Sequence, residues 1–173
     1  FIYLCKLYYR LVWLLWRINL NILISIIKNF GRNPKFIYFS GIGVDKVDNS
    51  ERSTIITQTE EYIKKNLVQS AIVRPGVIIG GGDKFLKGLI PLFKLSFFIP
   101  LFGDGLSKLQ PVFIDDVSKG IVNIIEFSLP GSHIFEFAGP EIFTYKELYT
   151  YLALCMNKTR VFVPTPLALI KVG

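Results

Sequence analysis

The sequence predicts an α/β fold in which a parallel sheet is covered by helices on both faces. Three observations carry this expectation. Short continuous apolar runs, Phe36-Ile37-Tyr38-Phe39 and Ala71-Ile72-Val73, have the length of strands buried on both sides. Each follows a stretch whose apolar residues recur at helical spacing, Ile18 to Phe30 and Ile55 to Leu67. Glycine, proline and polar clusters separate the segments, so the order is helix, strand, helix, strand. With 173 residues, 51% of them hydrophobic, and a mean hydropathy of +0.44, the chain can bury a core and is not a disordered or collagen-like polymer.

Taken in order, Ile18, Leu20, Ile22, Leu23, Ile26, Ile27 and Phe30 form a wide apolar helix face that stops at Gly31 and Pro34. The strand Phe36–Phe39 follows, then a polar loop over residues 45–53 and a helix from Ile55 to Leu67. Beyond the strand at residues 71–73 come Arg74-Pro75, a turn at Gly80-Gly81-Gly82, a helix from Lys84 to Phe98, and a turn at Gly103-Asp104-Gly105. A strand is expected over Gln110–Ile114 and a helix from Val117 to Ile125, with Asp115 and Asp116 at its start, where acids favour a helix N-terminus. Ile134–Phe137 reads as a strand. Thr144, with Glu147 three residues on, is a capping box that opens a last helix. No internal repeat or low-complexity tract interrupts this order.

Charge is unevenly placed. Twenty Lys and Arg face thirteen Asp and Glu, yet Lys6, Arg10, Arg17, Lys28, Arg32 and Lys35 all precede the first acid, Asp45. The remaining 138 residues carry fourteen basic against thirteen acidic side chains. Such a body is nearly neutral, so no nucleic-acid partner is expected. Residues 1–17 form a separate apolar, basic segment in which Lys6, Arg10 and Arg17 break every run long enough to span a bilayer. Two readings stand for it: a helix on a membrane surface with its basic side chains reaching the headgroups, or an element packed against the rest of the fold. The chain opens on Phe1 and its only methionine is Met156, so a fragment or processed product is expected.

Few residues offer chemistry alone. His133 has no second imidazole, cysteine or carboxylate at metal-ligand spacing, and Cys5 and Cys155 suggest neither a metal site nor a disulfide framework, so no metal is expected and a reducing compartment is the default. The chain contains no G-x-S-x-G elbow, Walker A loop or G-x-G-x-x-G turn.

The order of several segments is more informative. Phe36 to Gly41 is followed by Val73-Arg74-Pro75-Gly76-Val77-Ile78-Ile79-Gly80, by Gly82-Asp83-Lys84-Phe85, and by Pro100-Leu101-Phe102-Gly103-Asp104-Gly105. After these come Gln110-Pro111-Val112-Phe113-Ile114-Asp115-Asp116-Val117 and Gly139-Pro140-Glu141 with Tyr145. In this order, over residues 20 to 165, the chain resembles the C-terminal two-thirds of an extended, atypical short-chain dehydrogenase/reductase of the NAD-dependent epimerase/dehydratase type. It is most similar to the branch holding the nucleotide-binding accessory subunit of respiratory complex I and its bacterial relatives.

The resemblance implies a partial Rossmann-like fold, with residues 18–80 as the C-terminal half of an NAD(P)-binding domain and residues 81–173 as a small substrate-side region. It implies NAD(P) as cofactor in the complete protein, with Ser40 as the one weak catalytic candidate. Ser40, Gly41, Pro75, Gly76, Val77 and Ile78 would lie at the nicotinamide end, and Asp83, Phe85, Gln110 and Asp115 would line or brace the substrate side. Strand termination for Ser40 and Arg74-Pro75, and helix capping for both aspartates, are the competing readings. Expected partners are respiratory complex subunits or a membrane surface. The expected location is a bacterial cytoplasm or the mitochondrial matrix, at the inner-membrane surface.

Two departures qualify the expected activity. Reductases of this superfamily use a tyrosine whose proton transfer is assisted by a lysine one helical turn later, because a free phenol near pKa 10 is a poor base at neutral pH. None of the eight tyrosines here has lysine at that spacing. Counting back from Arg74 brings Arg52 and Ile56, or with one gap Ser53 and Thr57, to those positions, and neither pair can do the chemistry. The glycine-rich turn that would hold a pyrophosphate at a helix N-terminus is also absent. The expectation is therefore a catalytically weak or silent scaffold, against the alternatives of an active NAD(P)H-dependent oxidoreductase or sugar-nucleotide-type epimerase, or a truncated remnant.

Overall fold

The structure is a computed structural model that describes residues 20–29, 34–45, 51–127 and 130–166. The apolar, basic segment 1–17 and both readings of it lie outside the described residues. The described residues fall into two compact units: one runs to Arg74 and includes Asn123–Glu136, and the other comprises Pro75–Val122 with the chain from Phe137 onward.

In the first unit, helix α1 (residues 20–29) precedes β1 (Phe36–Phe39), helix α2 (Glu51–Asn66) and β2 (Gln69–Pro75). β1 and β2 pair in parallel, with Phe36 opposite Ser70 and Phe39 opposite Val73. β2 is the middle strand of a three-stranded sheet whose other neighbour is the later strand β7 (Gly131–Phe137). Position in the sheet decides burial: β2 is buried from Ser70 to Arg74, whereas edge strand β1 is only half-buried and leaves Phe39 52% exposed. The expected parallel pairing is present, but β1 is not covered on both faces.

The core of this unit is made by Leu20 and Ile24 of α1 with Ile63 and Leu67 at the end of α2, flanked by Phe36 and Tyr38. Helix α2 starts at Glu51, inside the expected 45–53 loop. The acidic and polar residues at its start lack apolar periodicity, which is why hydropathy alone places the boundary too late.

In the second unit, β3 (Ile78–Ile79), α3 (Lys84–Leu95), β4 (Phe98–Phe102), β5 (Lys108–Leu109), β6 (Val112–Phe113) and α4 (Ile114–Glu126) follow one another. Helix α4 ends in the first unit, where Lys35 Nζ donates to the carbonyls of Ile124 (2.5 Å), Ile125 (3.0 Å) and Phe127 and so caps its C-terminal end. After β7 (Gly131–Phe137) come β8 (Phe143–Thr144), α5 (Tyr145–Cys155) and β9 (Val161–Thr165). β3 pairs with β6 and β4 with β9 in parallel, and β5 pairs with β8 antiparallel.

Three boundaries differ from the expected ones. Helix α3 stops at Leu95, because Ser96 turns to extended backbone, and Phe98 opens a strand. β4 and β9 carry Pro100 and Pro164, which argue against strand in a sequence reading, yet each sits in a two-stranded sheet where a missing donor is tolerated. Of the strand expected over Gln110–Ile114 only Val112–Phe113 is strand: Gln110-Pro111 separates it from the earlier β5, and Ile114 is the first residue of α4. The capping box is present: Thr144 Oγ1 accepts from Glu147 N at 3.1 Å, and the Glu147 carboxylate accepts from Thr144 N at 2.7 Å.

Phe93, Ile99, Leu101, Tyr149 and Ala153 form the core of this unit, with the Phe93 and Tyr149 rings edge to face at 5.4 Å. Burial, with the neighbouring Tyr145, pushes the Tyr149 phenol up to about 12. Arg160 donates through Nε to Phe93 O at 2.8 Å, tying the start of β9 to the end of α3. Phe93→Ala is expected to cost about 3–5 kcal/mol, whereas Leu95→Ala, two residues on but 88% exposed, should stay within about 0.5 kcal/mol. Urea unfolding of the two variants measures both.

Candidate functional site

In the first unit, polar groups gather where β1 and β2 end. Ser40 follows β1 and extends its ladder, its N–H donating to Val73 O at 2.8 Å. Its Oγ is buried and makes no hydrogen bond of normal geometry. A turn over Ile42–Asp45 follows, and Thr57 Oγ1 on α2 reaches back to Val44 O at 3.4 Å while bonding Ser53 O at 2.9 Å. Thr57 is thus directed at the segment after Ser40, and Arg52 is exposed.

The dominant interaction here is one that sequence reasoning missed. Arg74, the last buried residue of β2, is 5% exposed, and its guanidinium forks onto buried Glu60 of α2, with Nη2 to Oε2 at 2.6 Å and Nε to Oε1 at 3.0 Å. Nη1 also meets Asp45 at 2.9 Å and Glu136 of β7 at 3.4 Å, two carboxylates that are 42% and 49% exposed. The half-exposed contacts add little, whereas the bidentate Glu60 pair is shielded from water. Burial would push the Glu60 carboxyl up, but the Arg74 hydrogen bonds, the nearby Ser40 hydroxyl and the charges of Arg74 and Lys64 outweigh it and hold it below its ordinary value. Glu60 is therefore an anion at neutral pH and a poor proton acceptor. The signal in the sequence was an arginine closing the apolar run Ala71-Ile72-Val73, which can be buried only against an acid.

In the second unit, Pro75, Gly76, Val77 and Ile78 run between β2 and β3. Gly76 N donates to Phe137 O at 2.8 Å, and Val77 O accepts from Val112 N at 2.9 Å. A Cβ on Gly76 would stand 2.2 Å from Gln110 O, and one on Gly139 would stand 1.9 Å from Pro111 O, so both positions require glycine. Gln110 closes the same knot, its Nε2 donating to Gly139 O at 2.6 Å. Asp83 is the N-cap of α3: Oδ1 accepts from Leu86 N at 2.6 Å and Oδ2 from Gly80 N at 3.3 Å. Phe85 is half-buried and Asp115 is exposed in the first turn of α4. An open hollow of about 330 Å³ is lined by Ile78, Gly80, Gly81, Gly82, Asp83, Lys84 and Ile114. It joins Ile78 to Asp83, but Phe85, Gln110 and Asp115 do not line it. Among the described residues no group of three or more His, Cys, Asp or Glu could hold a metal ion, and no helix is long and apolar enough to cross a membrane.

No family model matches the chain. The match to solved structures is close in shape: 82% of the chain superposes on the UDP-glucuronic acid 4-epimerase from Bacillus cereus, solved with UDP-glucuronic acid and NAD, with a TM-score of 0.68 at 19% identity over 51% of that chain. The dTDP-glucose 4,6-dehydratase from Bacillus anthracis, solved with NAD, gives 0.70 at 17% identity over 83% of this chain and 53% of that one. Its fold is that of the NAD-dependent epimerases and dehydratases. In sequence the chain is 28% identical over 149 residues to NADH dehydrogenase (ubiquinone) 1 alpha subcomplex subunit 9, mitochondrial, of Arabidopsis thaliana, covering 84% of this chain and 37% of that protein. The subunit of the same name from Mus musculus is 29% identical over 136 residues, covering 78% of this chain and 35% of that protein. The chain thus spans little more than a third of these mitochondrial relatives. The resemblance to the extended short-chain dehydrogenase/reductases, on the complex I branch, is borne out.

The sign of the Glu60 shift fixes an acid response. A carboxyl held lower in the folded than in the unfolded chain contributes stability above the unfolded value, about 4.3, that is lost as pH falls through the folded one. Unfolding free energy should therefore drop below about pH 4, and Glu60→Gln should flatten that part of the profile while costing about 3–5 kcal/mol at neutral pH. Ser40→Ala should change stability by less than about 1 kcal/mol, because the hydroxyl it removes has no well-formed bond. Denaturant titrations across pH measure all three effects.

Proposed function

We propose that this chain is the C-terminal portion of a catalytically silent, nucleotide-binding accessory protein of respiratory complex I (NADH:ubiquinone oxidoreductase), mitochondrial and positioned at the inner-membrane surface. The observation that carries the reading is the combination of sequence similarity to the alpha subcomplex subunit 9 proteins with a sequence in which no tyrosine has a lysine one helical turn later. In this reading residues 18–80 belong to the cofactor domain and residues 81–173 to the substrate side, with a glycine-rich half of the fold supplied by sequence outside this chain.

The fit to NAD(P) differs between segments. Ser40 Oγ, a buried hydroxyl without a well-formed bond at the carboxyl end of β1, suits a polar group such as a carboxamide, and ligands of open parallel sheets bind beyond those strand ends. Across Pro75–Ile78 the Gly76 N–H and the Val77 carbonyl already serve the protein's own backbone, so this segment offers shape and apolar contact. Ser40 and Gly41 of the first unit, and Pro75, Gly76, Val77 and Ile78 of the second, are the residues this reading assigns to the nicotinamide end. Bound NAD(P) would supply hydride chemistry, but no tyrosine of the chain has the lysine one helical turn later that would make it a proton donor. Asp83 acts as a helix cap and Gln110 as a brace of the Gly139 loop, leaving Phe85 and Asp115 as the freer side chains on the substrate side.

Incubating the protein with NADH or NADPH and a panel of carbonyl, quinone and sugar-nucleotide substrates tests this reading. No turnover is expected, and turnover abolished by Ser40→Ala would instead make the chain an active oxidoreductase or epimerase of the kind its structural neighbours represent. Ser53→Tyr with Thr57→Lys, which restores the acid–base spacing, should still give no hydride transfer in this 173-residue chain, because a cofactor must be positioned before a proton can be used.

A further inference from the structure

One end of the second unit combines exposed apolar side chains with a charge of a single sign. Because β4 and β9 are parallel, Phe98 lies opposite Val161, and their first residues stand at the same end of the sheet. Alternation turns Ile99 and Leu101 into the core and leaves Phe98 60% and Val161 41% exposed on the outer face. A parallel sheet ordinarily has both faces covered, and nothing among the described residues of this unit covers this one. The end of α3 adds Leu95, 88% exposed, and the connection adds Phe97, 53% exposed, with its ring edge to face on Phe98 at 5.3 Å.

Charge identifies what covers this end. Neither residues 84–103 nor residues 148–166 contain an acid. Lys94 in the last turn of α3 and Lys158 just before β9 are both exposed beside these apolar residues. The acids nearest in the chain, Asp83 before α3, Asp104 after β4 and Glu147 in the first turn of α5, all stand at the opposite end of the elements they flank. Aromatic and aliphatic side chains standing free of the surface, ringed by lysine and lacking acids, match the interface of an anionic bilayer, where rings enter the headgroup boundary and ammonium groups meet lipid phosphate.

We infer that the end of the second unit formed by Leu95, Phe97, Phe98 and Val161, with Lys94 and Lys158, docks on an anionic membrane surface. This surface is distinct from the residues proposed to meet NAD(P) and from segment 1–17, and its failure would leave the cofactor reading untouched.

The test uses the full 173-residue chain with both native cysteines replaced by serine and a polarity-sensitive fluorophore attached at Leu95→Cys or, separately, at Asp104→Cys. With vesicles of phosphatidylcholine and phosphatidylglycerol, the label at position 95 should shift to the blue and be quenched by brominated lipid, while the label at 104 should not. Phosphatidylcholine alone should give little effect. Lys94→Gln with Lys158→Gln should weaken binding about thirtyfold, since each basic side chain near an anionic surface adds about 1 kcal/mol, with circular dichroism unchanged. No vesicle binding would overturn the assignment, as would binding that leaves the label at 95 in water or shifts both labels equally. Full binding by the double glutamine variant would remove its electrostatic part.

Discussion

The buried fork between Arg74 and Glu60 is the constraint on which the first unit depends. A guanidinium at the end of a central strand, 5% exposed, is tolerated only because a carboxylate of α2 meets two of its nitrogens. That pairing fixes the rotation of α2 against the sheet, and the rotation brings Thr57 to the turn after Ser40. The third nitrogen reaches Asp45 at the end of the same turn, so one side chain braces the strand end, the helix and the loop. Removing either buried partner strands a charge out of water, which explains why the pair shapes this region more than the apolar contacts around it.

Much of this architecture was legible in the sequence where local pattern and tertiary context agree. The runs at residues 36–39 and 71–73 are strands, the glycines at 80–82 form a turn, and the Thr144–Glu147 capping box has the geometry its spacing demands. The failures share a cause. β4 and β9 contain prolines that local rules count against strands, and only their mutual pairing across about sixty residues of sequence makes them a sheet. β1 reads as buried because hydropathy records side-chain character and not position at a sheet edge. At the site, segment order singles out Ser40, Gly76 and Gln110, but the close packing of Gly76 on the Gln110 carbonyl is visible only in the structure. The Arg74–Glu60 pair does not follow from segment order, since a contact between a helix and a strand fourteen residues later has no signature beyond a charge in an apolar run.

The fold and the chemistry of this chain point in different directions. Its shape is that of enzymes solved with NAD and sugar nucleotides, yet none of its tyrosines has a lysine one helical turn later, and the buried Glu60 carboxylate near Ser40 is paired with Arg74. Its sequence relatives are subunits of the mitochondrial NADH dehydrogenase (ubiquinone).

The central claim is membership of that assembly, and its most direct measurement is native electrophoresis of gently solubilised respiratory membranes from the cells that make this protein, with an epitope-tagged copy of the gene product followed by antibody. The account predicts that the tagged protein migrates with the assembled NADH dehydrogenase and that its loss diminishes the band. Migration wholly apart from an intact, fully active enzyme, in cells with and without the protein, would contradict it.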